Sequence, residues 1–466
     1  MSIGGEEMEY TISTKQELLD AIVAADCDFI QFASNVALDD PVDVDKDLTL
    51  DLGLYTLSIT ANECIRVRSG HVSFVHGTII SDADDPLVVS GSGAILELGE
   101  SLSVNVSRCA VYAKQRGLLK VTGAEISSTG EFSTVYVEGY TAAKDNTRIE
   151  MLGGKITSAV STPLSVKKRG IAVIRGGEIV THAYPAASSD NINAIYIGGL
   201  GSLVELYDGV IFADHTVAVM VDDNSAFHMY GGTIQSNSEV HPAVSVYHSG
   251  SSFIMEDGSI ISPKGYGVLC SGLDKDQVNT FQMTGGSISV PSAHEAVYQV
   301  IDQAPAISIL GGSFHGQVSE TYLPEDMKFS EPDENGNYSV VEKSDDDDEG
   351  EGGDDPQPPT PGPTPDPDPD PDPDDPTPPT PPTPDIDPDD PVDPEFLTTS
   401  YVFKKQVPVY MTYSRRYYVA DVIGAVTLHP GYFEDGATKE KFRKIEYVLP
   451  GLGGRTIGYV SAMCIV

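Results

Sequence analysis

Four residues in the middle of the chain have the types from which a polysaccharide-cleaving site could be built: Asp214 with His215, and Asp222 with Asp223. Paired carboxylates on neighbouring strands could serve as acid and base at a glycosidic bond. A lyase would instead need clustered aspartates for calcium and a lysine or arginine base. The spacing favours neither chemistry. Asp214 and His215 follow one glycine turn, Asp222 and Asp223 follow the next apolar run, and no second acidic cluster recurs one repeat away at the same phase. These four read as solvated turn residues. His71, His76, His228 and His315 stand singly beside turns and read as surface residues rather than ligands. Cys27, Cys64, Cys109, Cys270 and Cys464 show neither metal nor disulfide spacing, and read as thiols buried in a protein made in a reducing cytoplasm. The glycine pairs mark corners, not a phosphate loop. No metal or cofactor is expected.

The elements that would position these groups come from a repeat. Leu152-Gly153-Gly154-Lys155-Ile156 returns as Arg175-Gly176-Gly177-Glu178-Ile179, Tyr207-Asp208-Gly209-Val210-Ile211 and Tyr230-Gly231-Gly232-Thr233-Ile234. It continues at Glu256 to Ile260, Thr284 to Ile288 and Leu310 to Phe314, with weaker copies around Gly77, Glu100 and Gly123. The copies recur every 23 to 32 residues, and a period of roughly 20–50 residues signals a repeat architecture. Each unit also carries an apolar run such as Ala194 to Ile197, Ala218 to Val221 or Ala243 to Val246, and another that enters the turn, as in Val204 to Leu206 or Phe281 to Met283. Three short strands per unit with no intervening helix predict stacked coils of a parallel β-helix. The residue two positions after the turn points inward and stacks on its equivalent in the next coil. Ten coils at ~4.8 Å would give a rod of roughly 50 Å. A propeller or sandwich of hairpins would instead turn every 8–12 residues or so.

At the start, Thr14-Lys15-Gln16-Glu17 has capping-box form, and Leu18, Leu19, Ile22 and Val23 make one helical stripe. A short helix there would cover the open first coil and its unpaired strand edge. With these residues the span from Met8 to about Val341 resembles the right-handed, pectate-lyase-like β-helix family. The resemblance implies an all-β fold: a right-handed parallel β-helix solenoid with a short N-terminal capping helix. Members often carry acidic-polysaccharide chemistry, but the Gly-His-Gly and Arg-Ile-Lys patterns of the polygalacturonase branch are absent.

The formal net charge of −42 excludes non-specific nucleic-acid binding, which needs a basic surface. No run reaches the ~18 apolar residues of a membrane span. Met1 to Glu7 lacks the basic and apolar regions of a signal peptide. Twenty acids and no lysine or arginine lie between Asp345 and Glu395, with alternating Pro and Asp from Pro365 to Asp374. Such a segment is a stiffened spacer; at ~3.1 Å per residue it could span on the order of 150 Å. The expected organisation is therefore an N-terminal cap over 1–30, a parallel β-helix over 31–343, an acidic linker over 344–395 and a last domain over 396–466.

In that last domain Val407 to Tyr410, Tyr418 to Ala420 and Arg443 to Val448 read as strands. The tail Gly453-Gly454-Arg455-Thr456-Ile457-Gly458-Tyr459-Val460-Ser461 resembles the closing hairpin of bacterial SH3-like modules, with Lys444 to Tyr447 and Tyr417 to Val419 extending the match. The chain departs from that family by the insertion Gly431 to Lys439 and by having no tryptophan. The resemblance implies a small β-barrel that binds cell-wall peptide or docks on protein. Tyr410, Tyr413, Tyr417 and Tyr418 with Arg415 and Arg416 would suit a recognition face; equally, half of those tyrosines would be barrel core.

Rod, spacer and terminal module together resemble bacteriophage fibre and decoration proteins. The expected function is a non-enzymatic structural and adhesive virion protein, a head fibre, capsid decoration or tail fibre, made in the host cytoplasm. One end would contact capsid or tail proteins and the other a host glycan or protein. A homo-oligomer is implied by the analogy. The alternatives are a bacterial surface adhesin with a wall-binding module, and a polysaccharide depolymerase of the tailspike kind.

Overall fold

The structure is a computed structural model that describes residues 8–139, 147–184, 192–247, 250–271, 278–299 and 306–343, then the strands 399–410, 418–428, 433–434, 441–448 and 455–461. Residues 8–343 form an all-β parallel solenoid of about 12 turns. Each turn contributes three strand columns. The first column enters the glycine corner (Val204 to Leu206 belongs to it), the second leaves the corner, and the third carries runs such as Asn193–Gly198. All ladders between successive coils are parallel until the last one, which rules out hairpins as the unit. The third column is an 11-stranded sheet of its own. The first and second columns are joined because Ile171–Thr181 and Leu203–Ala213 run unbroken through the corner.

The inward ladder behaves as expected. Ile126, Ile156, Ile179, Ile211, Ile234, Ile260, Ile288 and Phe314 are in register from coil to coil and all buried. One copy is offset. The corner after Leu98 is a residue longer, so Leu102 aligns with Ala124 and Val104 takes the isoleucine place. Behind the corner Phe227, Phe253 and Phe281 stack at 5.0 Å per step. Met229, Met255 and Met283 form the adjacent column, and each methyl group sits under the corner glycine of the next coil, at Gly258, Gly286 and Gly312. Most of the core is one continuous cluster from Ile12 to Phe314, and Val180 and Phe212 form a small second one.

Both ends are finished differently from the coils. Lys15–Val23 is a helix with the predicted capping box: the Glu17 amide donates to the Thr14 hydroxyl, and the Ser13 and Thr14 amides donate to the Glu17 carboxylate. Leu18, Ala21 and Ile22 enter the core, but Val23 does not belong to the stripe; it is 75% exposed because it points about 100° round the helix from Ile22, away from the buried face. Lys46, from the next coil, donates to the carbonyls of Ala21 in the last helical turn, Ala24 at the C-cap and Cys27 at the start of the following strand, pinning the helix end to that strand. At the other end parallel stacking stops at Ser313–His315. Met327–Phe329 and Tyr338–Glu342 pair antiparallel, and the latter also pairs antiparallel with Ser313–His315. Phe329 and Tyr338 pack on Phe314, closing the last coil with rings. The expected helix span 31–343 thus ends in a hairpin.

The strands Thr399–Tyr410, Tyr418–Leu428, Phe433–Glu434, Lys441–Val448 and Arg455–Ser461 form a five-stranded antiparallel sheet. Four of them pair in a closed ring, since Tyr418–Leu428 meets both Thr399–Tyr410 and Lys441–Val448, and Arg455–Ser461 meets the same two. Phe433–Glu434 lies outside this ring and pairs only with Lys441–Val448. The linker 344–395 lies outside the described residues.

Candidate functional site: a basic, tyrosine-lined belt

The structure does not bring the expected carboxylates together. Asp214 and Asp222 sit at opposite ends of the strand Val217–Val221, which alone spans about 13 Å at ~3.3 Å per residue. Acid and base in a glycosidase stand no more than about 9.5 Å apart. Each carboxylate is instead engaged by the preceding coil. His182 lies 3.2 Å from Asp214, and the Tyr196 hydroxyl donates to Asp222 at 2.9 Å. Asp222 is buried at 9% exposure, so the expectation of a solvated turn residue fails there: a phenol from the coil above covers it. Asp223 does occupy an exposed turn, at φ 48°. His215 packs edge-on against Tyr184.

Among the four single histidines, His71 meets Glu97 at 2.8 Å, His76 meets Asp51 at 2.9 Å and His228 lies beside Tyr230. His315 contradicts the surface reading. It is 7% exposed under the closing hairpin, and its Nδ1 donates to the Val290 carbonyl at 2.5 Å. Cys27, Cys64, Cys109 and Cys270 are buried, as expected; Cys464 lies outside the described residues. Of the proposed recognition face, Tyr410 pairs with Tyr418 and Tyr459 where the small sheet closes. Tyr413, Arg415, Arg416 and Tyr417 lie outside the described residues.

A different surface gathers charge and rings. The solenoid is not uniformly acidic. Between Arg108 and Arg175 the chain has eleven Lys or Arg against five Asp or Glu. The segment 8–107 has seventeen acids against four bases, and 176–343 has twenty-one against four. Coiling wraps this middle segment into a basic belt between two acidic stretches of rod.

The third column organises the belt. Tyr112, Tyr136, Ser165 and Tyr196 are in register on successive coils, and two residues further along so are Lys114, Glu138 and Lys167. Tyr112 and Tyr136 meet edge-to-face at 5.4 Å. Lys167 lies over the rings of both Tyr136 and Tyr196, at 5.7 and 4.9 Å. Lys114 covers the Tyr112 ring and reaches Glu63 at 2.5 Å. The Tyr112 hydroxyl donates to Glu138, which also accepts from Lys168 at 2.5 Å. Rings, ammonium groups and carboxylates alternate along the rod, tying each coil to the next.

The titrations follow from burial and pairing. Burial, then the charge of Glu138, pushes the Tyr136 phenol up to about 12. Burial raises the Cys109 thiol well above its usual range, which makes it a poor nucleophile. Burial alone would raise Glu138, but Lys168 and the Tyr112 hydroxyl outweigh it and hold the carboxyl below its ordinary 4.5. Two pH limbs are expected. The ionised Glu138 stabilises the belt above pH 4.5, and that contribution is lost as pH falls through the folded value. The Tyr136 proton, bound more tightly in the folded state, contributes stability that is complete below pH 10.0 and lost as pH rises through about 12. Chemical denaturation across pH should show Glu138→Gln flattening the acid limb and Tyr136→Phe the alkaline one; unchanged limbs in both variants would contradict the pairing.

Sequence reasoning missed this belt. Its signal was available in the local charge balance of 108–175, which the whole-chain charge conceals. No protein family, curated protein or solved structure matches the chain.

Proposed function

We propose that the protein is a non-enzymatic structural and adhesive component of a bacteriophage particle, a head fibre, capsid decoration or tail fibre. In this reading the solenoid is a rod, right-handed as in the family it resembles, with Lys15–Val23 as its N-terminal cap. The acidic segment 344–395 is a spacer and the closed five-stranded unit an SH3-like docking module. What supports the reading is the solenoid itself, a stack of about 12 parallel coils ahead of an acidic segment and a second β unit; its non-enzymatic part rests on Asp214 and Asp222, which are parted by a strand and each engaged by the coil before it. The charged and aromatic side chains of the belt likewise serve coil-to-coil contacts, as a rod needs.

Mass spectrometry of purified virus particles and of washed host envelopes tests the proposal. The expected result is recovery in particles at fixed copy number. Recovery only in envelopes would overturn it in favour of a surface adhesin with a wall-binding module. Cleavage of a host glycan by the purified protein would overturn the non-enzymatic part.

A further inference from the structure

The belt has a feature that coil-to-coil packing does not require. The turn from the third column back to the first is made by two residues at positive φ: Gln115 at 52° and Arg116 at 72° in one coil, Lys168 at 50° and Arg169 at 68° two coils on. Elsewhere the same turn uses residues suited to that conformation, with Gly91 and Gly93, Gly199 and Gly201, and Asp223 and Asn224. Long side chains at positive φ are uncommon and strained. The strain is held in place by hydroxyls of the following coil: the Arg116 amide donates to Thr147 at 3.0 Å and the Arg169 amide to Ser202 at 3.2 Å. Cations are thus placed at a turn where the backbone favours glycine. Arg116 is exposed, the Lys168 side chain is 58% exposed, and neither Arg116 nor Arg169 has a carboxylate partner among the described residues.

We propose that the turn of Lys167, Lys168 and Arg169, with Arg116 as a second contact two coils away across residues 140–146, which lie outside the described residues, is the docking surface for the chain's own acidic segment, Asp345 to Asp390. Charge complementarity carries the assignment. The segment holds most of the twenty acids found between Asp345 and Glu395, with no base among them, and the belt is the one stretch of the solenoid sequence in which bases outnumber acids. Reach is ample. The last coil lies five coils beyond Lys168 and seven beyond Arg116, and the closing hairpin that ends at Lys343 adds one more layer, or roughly 29–38 Å along the rod at ~4.8 Å per layer. About thirteen extended residues at ~3.1 Å each cover that. Tethering keeps the segment at millimolar-scale effective concentration, whereas a free polyanion must first approach a chain of net charge −42. The docked segment would shorten the spacer until salt or a competing polyanion releases it. None of this depends on the virion reading.

Carbodiimide coupling of the full chain at low concentration, with equal amounts of 14N and 15N protein, tests the docking. Lys114 and Glu63, 2.5 Å apart, provide an internal link on an amine outside the readout, which reports both reagent and fold. The expected result is peptides joining Lys167 or Lys168 to aspartates of 345–390 within one copy, with yield falling about tenfold in 1 M salt, where the screening length is only ~3 Å. Replacing Asp345 to Asp348 and Asp366 to Asp375 by asparagine, which leaves the solenoid untouched, should lower the yield several-fold, as should Arg116→Gln with Arg169→Gln. The proposal is overturned if the internal link forms without linker peptides on Lys167 or Lys168. It is equally overturned if the linker couples as readily to Lys15, Lys46 and Lys264, or if links join 14N to 15N chains, which would make a second copy the occupant.

Discussion

Replacing Phe253 by alanine is expected to destabilise the solenoid by about 3–5 kcal/mol, the range for a large aromatic removed from a closed core. Phe253 is fully buried, and its ring is stacked between Phe227 and Phe281 at 5.0 Å on either side. Truncation removes the ring's own burial and leaves both neighbours facing a void that the coil spacing prevents from collapsing. The backbone ladders on either side fix that spacing: Phe253 pairs with Phe227 above and Phe281 below through continuous parallel strands. Because each coil contacts mainly its neighbours, the damage should be local. Hydrogen exchange should show lost protection concentrated over 226–283, with the N-terminal coils spared. Phe253→Leu should cost far less, since it keeps most of the volume. A loss under 1 kcal/mol for the alanine variant, measured by denaturation of the solenoid transition, would mean that the stack does not form.

The second large effect is expected at the corner. Gly286 adopts φ 83°, and a Cβ there would lie 2.6 Å from the Met255 methyl and 2.7 Å from the Gly258 carbonyl. Two separate penalties follow for Gly286→Ala: the left-handed backbone costs an alanine about 1–2 kcal/mol, and overpacking adds about 1–3 kcal/mol. Gly93 separates them. It has nearly the same φ, 86°, with nothing within 4 Å of its would-be Cβ. Gly93→Ala should therefore show the backbone cost alone. The excess at Gly286 measures the close approach, and Met255→Ala in the same chain should recover only part of it, because the carbonyl remains. Equal losses at the two glycines would show that the methionine methyl is not seated under the corner.

The same pair of positions shows how much of the fold is legible without coordinates. The recurring corner and the isoleucine after it mark the coil because both obey local rules: a left-handed turn wants glycine, and a period-two strand buries alternate residues. The capping box of Thr14 and Glu17 is legible for the same reason. The partner of Gly286 is not. Met255 is thirty-one residues earlier in the chain and meets it only because three residues separate each Met column from the following strand at both corners. At the corner after Leu98 one extra residue breaks that arithmetic, and an alignment by glycine alone misplaces Leu102.

A parallel coil with three strands per turn, buried thiols, a capped helix at its start and an acidic segment before a second β unit are all legible in residue types and spacing. Which side chains share a surface becomes visible only in the folded chain. Tyr112, Tyr136 and Tyr196 are spread over more than eighty residues, yet stand in one column beside Lys114, Glu138 and Lys167. Asp214 and Asp222 are eight residues apart and lie at opposite ends of a strand. The physical reason is the same in both cases. Coils bring residues separated by a whole turn to within ~4.8 Å of one another, while an extended strand drives near neighbours apart at ~3.3 Å per residue. Which residues become neighbours is set by the length of every turn between them, and that sum is fixed only when the coil closes on its neighbour.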